Sequence, residues 1–153
     1  MGLFSFLKNS GAKLFKKEEK ISPEEARQQK IGLLKAELVK FGIEVKGLSI
    51  NLDDDKVTVF GEVGSQADKE KAILALGNVN GIASVDDRMT VVVPEPEAVF
   101  YEVKRGDSLS KIAKAQYGDA MKYPVIFEAN KPMLKDPNLI YPGQMLRIPP
   151  LEG

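Results

Sequence analysis

The chain is organised around one stretch, Leu76-Gly77-Asn78-Val79-Asn80-Gly81-Ile82, which we predict to be the turn between a helix and a strand. Glycine and asparagine are the residues that most readily tolerate left-handed backbone conformations, so the chain can curl here and turn carbonyl oxygens inward. Because a helix ends at this turn, its last carbonyls lack intrahelical partners and carry the negative end of the helix dipole. A turn with unpaired carbonyl oxygens is a candidate binding site for a cation.

The segments on either side of the turn have clear helix and strand patterns. Ser65 is a typical N-cap, and Ala72, Ile73 and Leu76 form the apolar face of the helix that follows. Residues 82–93 predict a long strand, in which Met89, Val91 and Val93 stand at alternate positions. The turn therefore joins an amphipathic helix to a half-buried strand.

Residues 22–63 supply the preceding elements. A helix begins at Ser22-Pro23 and stops at Gly42, because Ser is a favoured N-cap, Pro suits the first turn and Gly ends helices. Two alternating strands then flank the hairpin turn Asp53-Asp54-Asp55. The order α-β-β-α-β over residues 22–93 predicts an α+β layer of two helices on a three-stranded sheet.

The three aspartates of the hairpin raise the possibility of a calcium site. An EF-hand loop needs Gly at its sixth position and Glu at its twelfth. Thr58 and Gly64 stand at those positions. We therefore predict a solvated turn.

The composition excludes several function classes. The chain has 153 residues, with 22 Lys and Arg against 22 Asp and Glu, so its formal net charge is zero. Nucleic-acid binding depends on a basic footprint, so we expect no nucleic-acid partner. Histidine and cysteine are both absent, which excludes thiolate and imidazole metal sites and the common nucleophile–base pairs. We expect a protein that is not an enzyme.

Residues 1–21 combine apolar residues with lysines, and two interpretations stay open. They could form a basic amphipathic helix on a membrane surface, or an arm that packs its apolar side on the following domain. Gly11 interrupts a helix and favours the arm. The apolar patch at residues 3–7 is shorter than the ~7–15 residues of a signal peptide, so we expect a cytoplasmic protein without membrane contact.

A second unit follows a short linker. Residues 94–99 contain Pro94-Glu95-Pro96-Glu97, a stiff, charged linker. Residues 100–149 predict the order β-α-α-β, in which Gly106-Asp107-Ser108 turns the chain and caps a helix. Residues 150–153 form a tail. The whole chain is thus an α+β protein of two small domains.

Residues 100–149 carry an ordered series of turn, cap and aliphatic positions: Tyr101, Val103, Gly106-Asp107-Ser108-Leu109, Ile112-Ala113, Ile126, Ala129-Asn130, Ile140-Tyr141-Pro142-Gly143-Gln144, Leu146 and Ile148-Pro149. This series resembles that of a LysM domain. LysM domains usually bind N-acetylglucosamine glycans in a shallow groove between the loop after the first strand and the loop before the last. The resemblance places a possible glycan groove at Gly106, Asp107, Ser108, Leu109, Ile140 and Pro142.

Residues 22–93 resemble a BON domain, through Val57-Thr58-Val59, Gly61-Glu62-Val63 and Gly81-Ile82 followed by Val85-Asp86-Asp87. The succession of an apolar N-terminal arm, one BON domain, a Pro-rich linker and one LysM domain is similar to the small bacterial potassium-binding proteins of the BON–LysM family. That resemblance implies a monomeric, cytoplasmic K⁺ sensor in which the ion orders the BON domain and tightens its packing on the LysM domain.

The resemblance also implies where the ion is bound. The ligands would be main-chain oxygens of the arm and of the turn, at Leu7, Ser10, Ala12, Gly77, Val79 and Ile82; the Ser10 hydroxyl could also take part. Rings of neutral carbonyls can replace the hydration shell of K⁺. Two alternatives stay open. The turn could be only a Gly-rich connection under a hydrophobic lid, or the protein could be a cell-wall module that binds peptidoglycan.

Overall fold

The computed structural model describes residues 2–15 and 22–151. Residues 16–21 of the predicted arm and residues 152–153 of the predicted tail lie outside the described residues. In chain order the elements are β1 (Gly2–Ser5), α1 (Pro23–Lys40), β2 (Lys46–Asp53), β3 (Lys56–Ser65), α2 (Gln66–Gly77), β4 (Ser84–Val93), β5 (Val99–Glu102), α3 (Leu109–Tyr117), a 3₁₀ turn (Ala120–Lys122), α4 (Tyr123–Ala129) and β6 (Met145–Ile148). The α+β class and both predicted element orders are confirmed.

The predicted helix starts are formed by serine side chains. The Ser22, Ser65 and Ser108 hydroxyls each accept a hydrogen bond from a backbone N–H three residues later, at 3.1, 3.1 and 3.2 Å. Each bond satisfies one of the N–H groups that the first helical turn leaves without a partner.

No helix in the described part of the chain is long and apolar enough to cross a membrane.

The first sheet has four strands in the order β1-β4-β3-β2. Strands β3 and β4 are parallel, which requires a crossover, and α2 supplies it. The three strands predicted for residues 22–93 are β2, β3 and β4. The arm adds the fourth strand, because Gly2–Ser5 pairs antiparallel with Ser84–Asp87 at the edge of the sheet. The surface-helix interpretation of the arm is therefore wrong where β1 lies.

Each unit has its own hydrophobic core. In the first, Leu34 and Leu38 of α1 and Leu76 of α2 are fully buried against Val57 and Val59 of β3. The second core is smaller. Its buried side chains are Val103, Leu109, Ile112, Ala113, Ile126, Leu134, Leu146 and Ile148. In this second unit, strands β5 and β6 pair antiparallel as a two-stranded sheet beside α3 and α4.

A buried ion pair joins the two units. Glu70 of α2 is 3% exposed and Arg147 of β6 is 8% exposed. The Glu70 Oε1 atom accepts from Arg147 Nε at 2.9 Å and lies 2.8 Å from Nη2. Its Oε2 atom accepts from the Gln66 side chain at 3.0 Å and from the Ala98 N–H at 2.9 Å. Glu70 thus holds both the linker and the second domain against α2.

Removing one partner of this pair should destabilise the protein strongly, since the other charge stays buried. We expect Arg147→Met to lower the free energy of unfolding in urea by roughly 3–5 kcal/mol. Adding Glu70→Gln should recover part of that loss. Lys104→Met is the control, because Lys104 pairs with Glu102 at the surface and such pairs contribute about 1 kcal/mol or less. Equal losses in Arg147→Met and Lys104→Met would contradict the assignment.

Candidate metal centre

The N-terminal arm runs directly along the turn between α2 and β4. The Phe6 N–H donates to the Ala83 carbonyl at 2.8 Å, and the Gly81 N–H donates to the Lys8 carbonyl. The Ala12 N–H donates to the Asn78 carbonyl at 2.9 Å, and the Asn80 N–H donates to the Ala12 carbonyl at 2.8 Å. The last two bonds make Ala12 and Val79 a parallel β-bridge. Arm and turn are therefore paired backbone to backbone.

Two glycines allow this close approach. Gly11 has a φ of +97°, and a Cβ there would overlap the Asn78 carbonyl. At Gly77 a Cβ would overlap the Phe6 ring, which covers the end of α2. The first position needs glycine for both conformation and space. Gly81 is the turn residue with positive φ, whereas Asn78 keeps a φ of −79°.

The six predicted ligand positions lie in two adjacent segments, the arm and the end of α2 with the turn that follows it. In the arm, the Leu7 carbonyl accepts from the Ser10 N–H at 3.1 Å; in the turn, the Val79 carbonyl accepts from the Ile82 N–H at 3.1 Å. Ala12 bridges the two segments. The turn half is buried, with Val79 and Ile82 fully so, whereas Leu7 and Ala12 are exposed. A cation bound here would therefore contact the buried turn on one side and the exposed arm on the other.

The carbonyls differ in the capacity they have left for an ion. A carbonyl oxygen has two lone pairs, and the Ala12 oxygen already accepts from both Asn80 and Leu14 N–H groups. The Val79 and Leu7 oxygens each accept one such bond. In the described part of the chain, no backbone N–H outside α2 donates to the Gly77 carbonyl. The Ser10 and Ile82 carbonyls likewise accept no such bond. Gly77 differs from them in lying at the negative end of the helix dipole, which favours a cation.

The predicted ion ligands are neutral carbonyl oxygens, and the charged side chains that the structure describes nearby do not form a metal-binding cluster. On the adjacent hairpin, the Asp55 carboxylate pairs with Lys8 Nζ at 3.4 Å, and Asp53 and Asp54 are exposed, as expected for a solvated turn. The described residues contain no group of three or more His, Cys, Asp or Glu side chains able to hold a metal. Carboxylate clusters favour divalent ions, and carbonyl rings suit K⁺. The donor set fits a large monovalent cation.

The second domain reaches the same place. The Ser10 hydroxyl donates to the Pro142 carbonyl at 3.4 Å, and Gly143 lies so close that a Cβ would overlap the Ser10 hydroxyl. The Asn78 side chain donates to the Met145 carbonyl at 2.8 Å and accepts from the Met145 N–H at 2.9 Å. Local sequence patterns gave no sign of the Asn78 contact, because its partner lies 67 residues away.

Several residues of the predicted glycan groove form hydrogen bonds within their own domain. The Asp107 carboxylate accepts from the Tyr101 hydroxyl and from the Lys104 N–H at 2.8 Å. The bond to Asp107 raises the pKa of Tyr101 to about 12, and the Tyr101 hydroxyl and Lys104 N–H hold the pKa of Asp107 below its usual value. Ser108 caps α3 and Leu109 is buried. These residues shape the loop whether or not a glycan binds.

Comparison with known proteins assigns both domains. Residues 32–93 match the BON domain model and residues 101–149 match the LysM domain model. The chain is 46% identical over 150 residues to the potassium binding protein Kbp of Escherichia coli O6:H1 strain CFT073, covering 97% of this chain and 99% of that protein. It is also 57% identical over 49 residues to an uncharacterized protein of Deinococcus radiodurans, which is 32% of this chain and 19% of that protein. The chain therefore belongs to the family of the potassium binding protein Kbp and combines a BON domain with a LysM domain.

Proposed function

We propose that this protein is a cytoplasmic K⁺-binding sensor whose ion lies between the N-terminal arm and the α2–β4 turn. The observation that carries the proposal is the backbone pairing of the arm with that turn, centred on Ala12 and Val79. The name of the Escherichia coli relative, which is 46% identical, supports the choice of ion. The ion is the ligand that the protein senses, and no catalysis is involved.

Main-chain carbonyls would hold the ion. In the arm these would belong to Leu7, Ser10 and Ala12, and the Ser10 hydroxyl is a further oxygen. In the turn they would belong to Gly77, Val79 and Ile82. The Ala12 carbonyl already accepts from the Asn80 and Leu14 N–H groups, so it would give up one of these bonds to bind the ion. Carbonyl dipoles replace water around K⁺ at little cost because the ion is weakly hydrated.

Ion binding here would act on the arrangement of the whole chain. The arm begins as strand β1 of the BON sheet, and its Ser10 touches the LysM loop at Pro142 and Gly143. An ion that joins arm to turn favours every conformation in which the arm is docked. A ligand shifts a two-state equilibrium by its differential affinity for the two states, so K⁺ would order the BON domain and its packing on LysM.

Titration with KCl and with NaCl at constant ionic strength tests the proposal. We expect the amide NMR signals of Ala12, Asn80 and Gly81 to shift with KCl, because their N–H groups lie in the arm–turn pairing. The radius of gyration from small-angle scattering should fall in the same range of concentration. Equal responses to both salts would contradict K⁺ selectivity.

A matched pair of glycine variants tests whether the arm supplies ligands. Gly11→Ala places a Cβ on the Asn78 carbonyl at positive φ, whereas Gly32→Ala in α1 meets nothing within 4 Å. A left-handed conformation costs a non-glycine residue roughly 1–2 kcal/mol. We therefore expect Gly11→Ala to weaken K⁺ binding by about tenfold, the equivalent of about 1.4 kcal/mol, and Gly32→Ala to leave it unchanged. If Gly11→Ala binds K⁺ with wild-type affinity, the arm does not supply ligands to the site.

The LysM domain supports a second function, glycan binding. The match to the LysM model spans residues 101–149, and the predicted groove is Gly106, Asp107, Ser108, Leu109, Ile140 and Pro142. Fold alone does not establish a ligand. We expect the full chain to sediment with purified peptidoglycan and to be released by N-acetylglucosamine oligomers. Absence of the protein from the pellet, with a secreted LysM protein bound in parallel, would contradict this function.

A further inference from the structure

The Asn78 residue connects three parts of the molecule. Its N–H donates to the Leu74 carbonyl in α2, and its carbonyl accepts from the Ala12 N–H of the arm. Its side-chain amide makes two hydrogen bonds to the backbone of Met145, the first residue of β6. In sequence it stands between Gly77 and Val79, two of the proposed ion ligands. One residue therefore contacts the helix end, the arm and the LysM domain.

The contact with β6 mimics pairing with another strand. Strand β6 pairs with β5 along one edge. On its other edge, the Arg147 N–H donates to Asn130 Oδ1 at 2.8 Å, and Asn130 Nδ2 donates to the Arg147 carbonyl at 2.9 Å. Asn78 makes the same two bonds to Met145. A carboxamide offers one acceptor and two donors, so it can satisfy the N–H and C=O of a strand residue together.

The two asparagines belong to different domains. Asn130 belongs to the LysM domain and can bond Arg147 whatever the BON domain does. Asn78 belongs to the BON turn, so the Met145 pair forms only when the two domains dock in this register. The Glu70–Arg147 ion pair also joins the domains. On the BON side it involves Glu70 of α2, which also bonds the linker, and it does not contact the turn carbonyls.

We propose that Asn78 is the positioning residue that couples K⁺ binding to docking of the LysM domain. The inference rests on the proposed function. An ion held by the flanking carbonyls of Gly77 and Val79 fixes the backbone of Asn78 between them. Its amide then stands at the edge of β6, where it completes the pairing of Met145. The residue acts through its side chain on the second domain and is not itself an ion ligand.

Amide hydrogen exchange in the full chain, with and without KCl, tests this coupling. In the wild type we expect K⁺ to slow exchange of the Met145 amide by about tenfold or more and to leave the Arg147 amide unchanged. In Asn78→Ala the Met145 amide should exchange at one rate in both conditions. Because coupling is reciprocal, K⁺ affinity should fall by the same factor by which protection of Met145 is lost.

The matched control is Asn80→Ala in the same turn. In the described part of the chain the Asn80 side chain makes no hydrogen bond, although its N–H bonds Ala12. We expect wild-type exchange at Met145 in this variant. If Asn78→Ala fails to fold, Asn78→Leu replaces it, since its side chain is of similar size but can neither accept from the Met145 N–H nor donate to the Met145 carbonyl. It too should lose the K⁺ dependence.

The outcomes separate the coupling from the ion site. If either Asn78 variant retains the full K⁺-dependent protection of Met145, the coupling is wrong. It is also wrong if the wild-type Gly81 amide shifts with KCl while exchange at Met145 does not respond. If no amide of the arm or the turn responds to KCl in the wild type, the proposed function fails and the coupling fails with it.

Discussion

The pairing of Ala12 with Val79 is the contact on which the site depends. Two backbone hydrogen bonds pair Ala12 with the turn, and Gly11 lets the chains approach closely enough to make them. They extend the contact that begins where Phe6 bonds Ala83 and Lys8 bonds Gly81. With it, the arm and the α2–β4 turn lie side by side, and the proposed ligands come from both segments. Such a site needs no charged side chain, which is consistent with selectivity for a weakly hydrated cation.

The two domains meet through contacts of different character. The Glu70–Arg147 pair is buried and fully hydrogen-bonded, and it anchors the LysM domain to α2 and the linker. The Asn78–Met145 and Ser10–Pro142 contacts lie at the arm and turn, beside the proposed ligands. This division suits the proposed sensor. The ion pair would keep the domains together, and the contacts at the turn would depend on the geometry that a bound ion sets.

Local signals predicted much of the fold from the sequence. Ser22, Ser65 and Ser108 cap helices as expected. The alternating Val57 and Val59 of β3 are buried, whereas in β4 Met89 is buried and Val93 is exposed. Strand β1 could not be found in this way, because four residues carry too little periodicity and their partners are about 80 residues away in the sequence. Pairing over such a separation is decided by tertiary contacts, which leave no local pattern.

The candidate site was harder to predict than the fold. Main-chain ligands carry no side-chain signature, so residues such as Leu7 and Ala12 came from the family resemblance alone. The turn itself was visible through its glycines. The role of Asn78 was hidden, because an asparagine in a turn has a sufficient local explanation, and only the structure places its amide on β6.

The most direct test of the ion site is a crystal structure grown in RbCl, with data collected at the rubidium absorption edge. Rubidium scatters anomalously and shares the charge and weak hydration of K⁺. We predict one strong anomalous peak between the arm and the α2–β4 turn, in coordination contact with the Gly77 and Val79 carbonyls and with at least one arm carbonyl. A peak elsewhere, or an arm–turn region without one in crystals that contain the ion, would contradict the site.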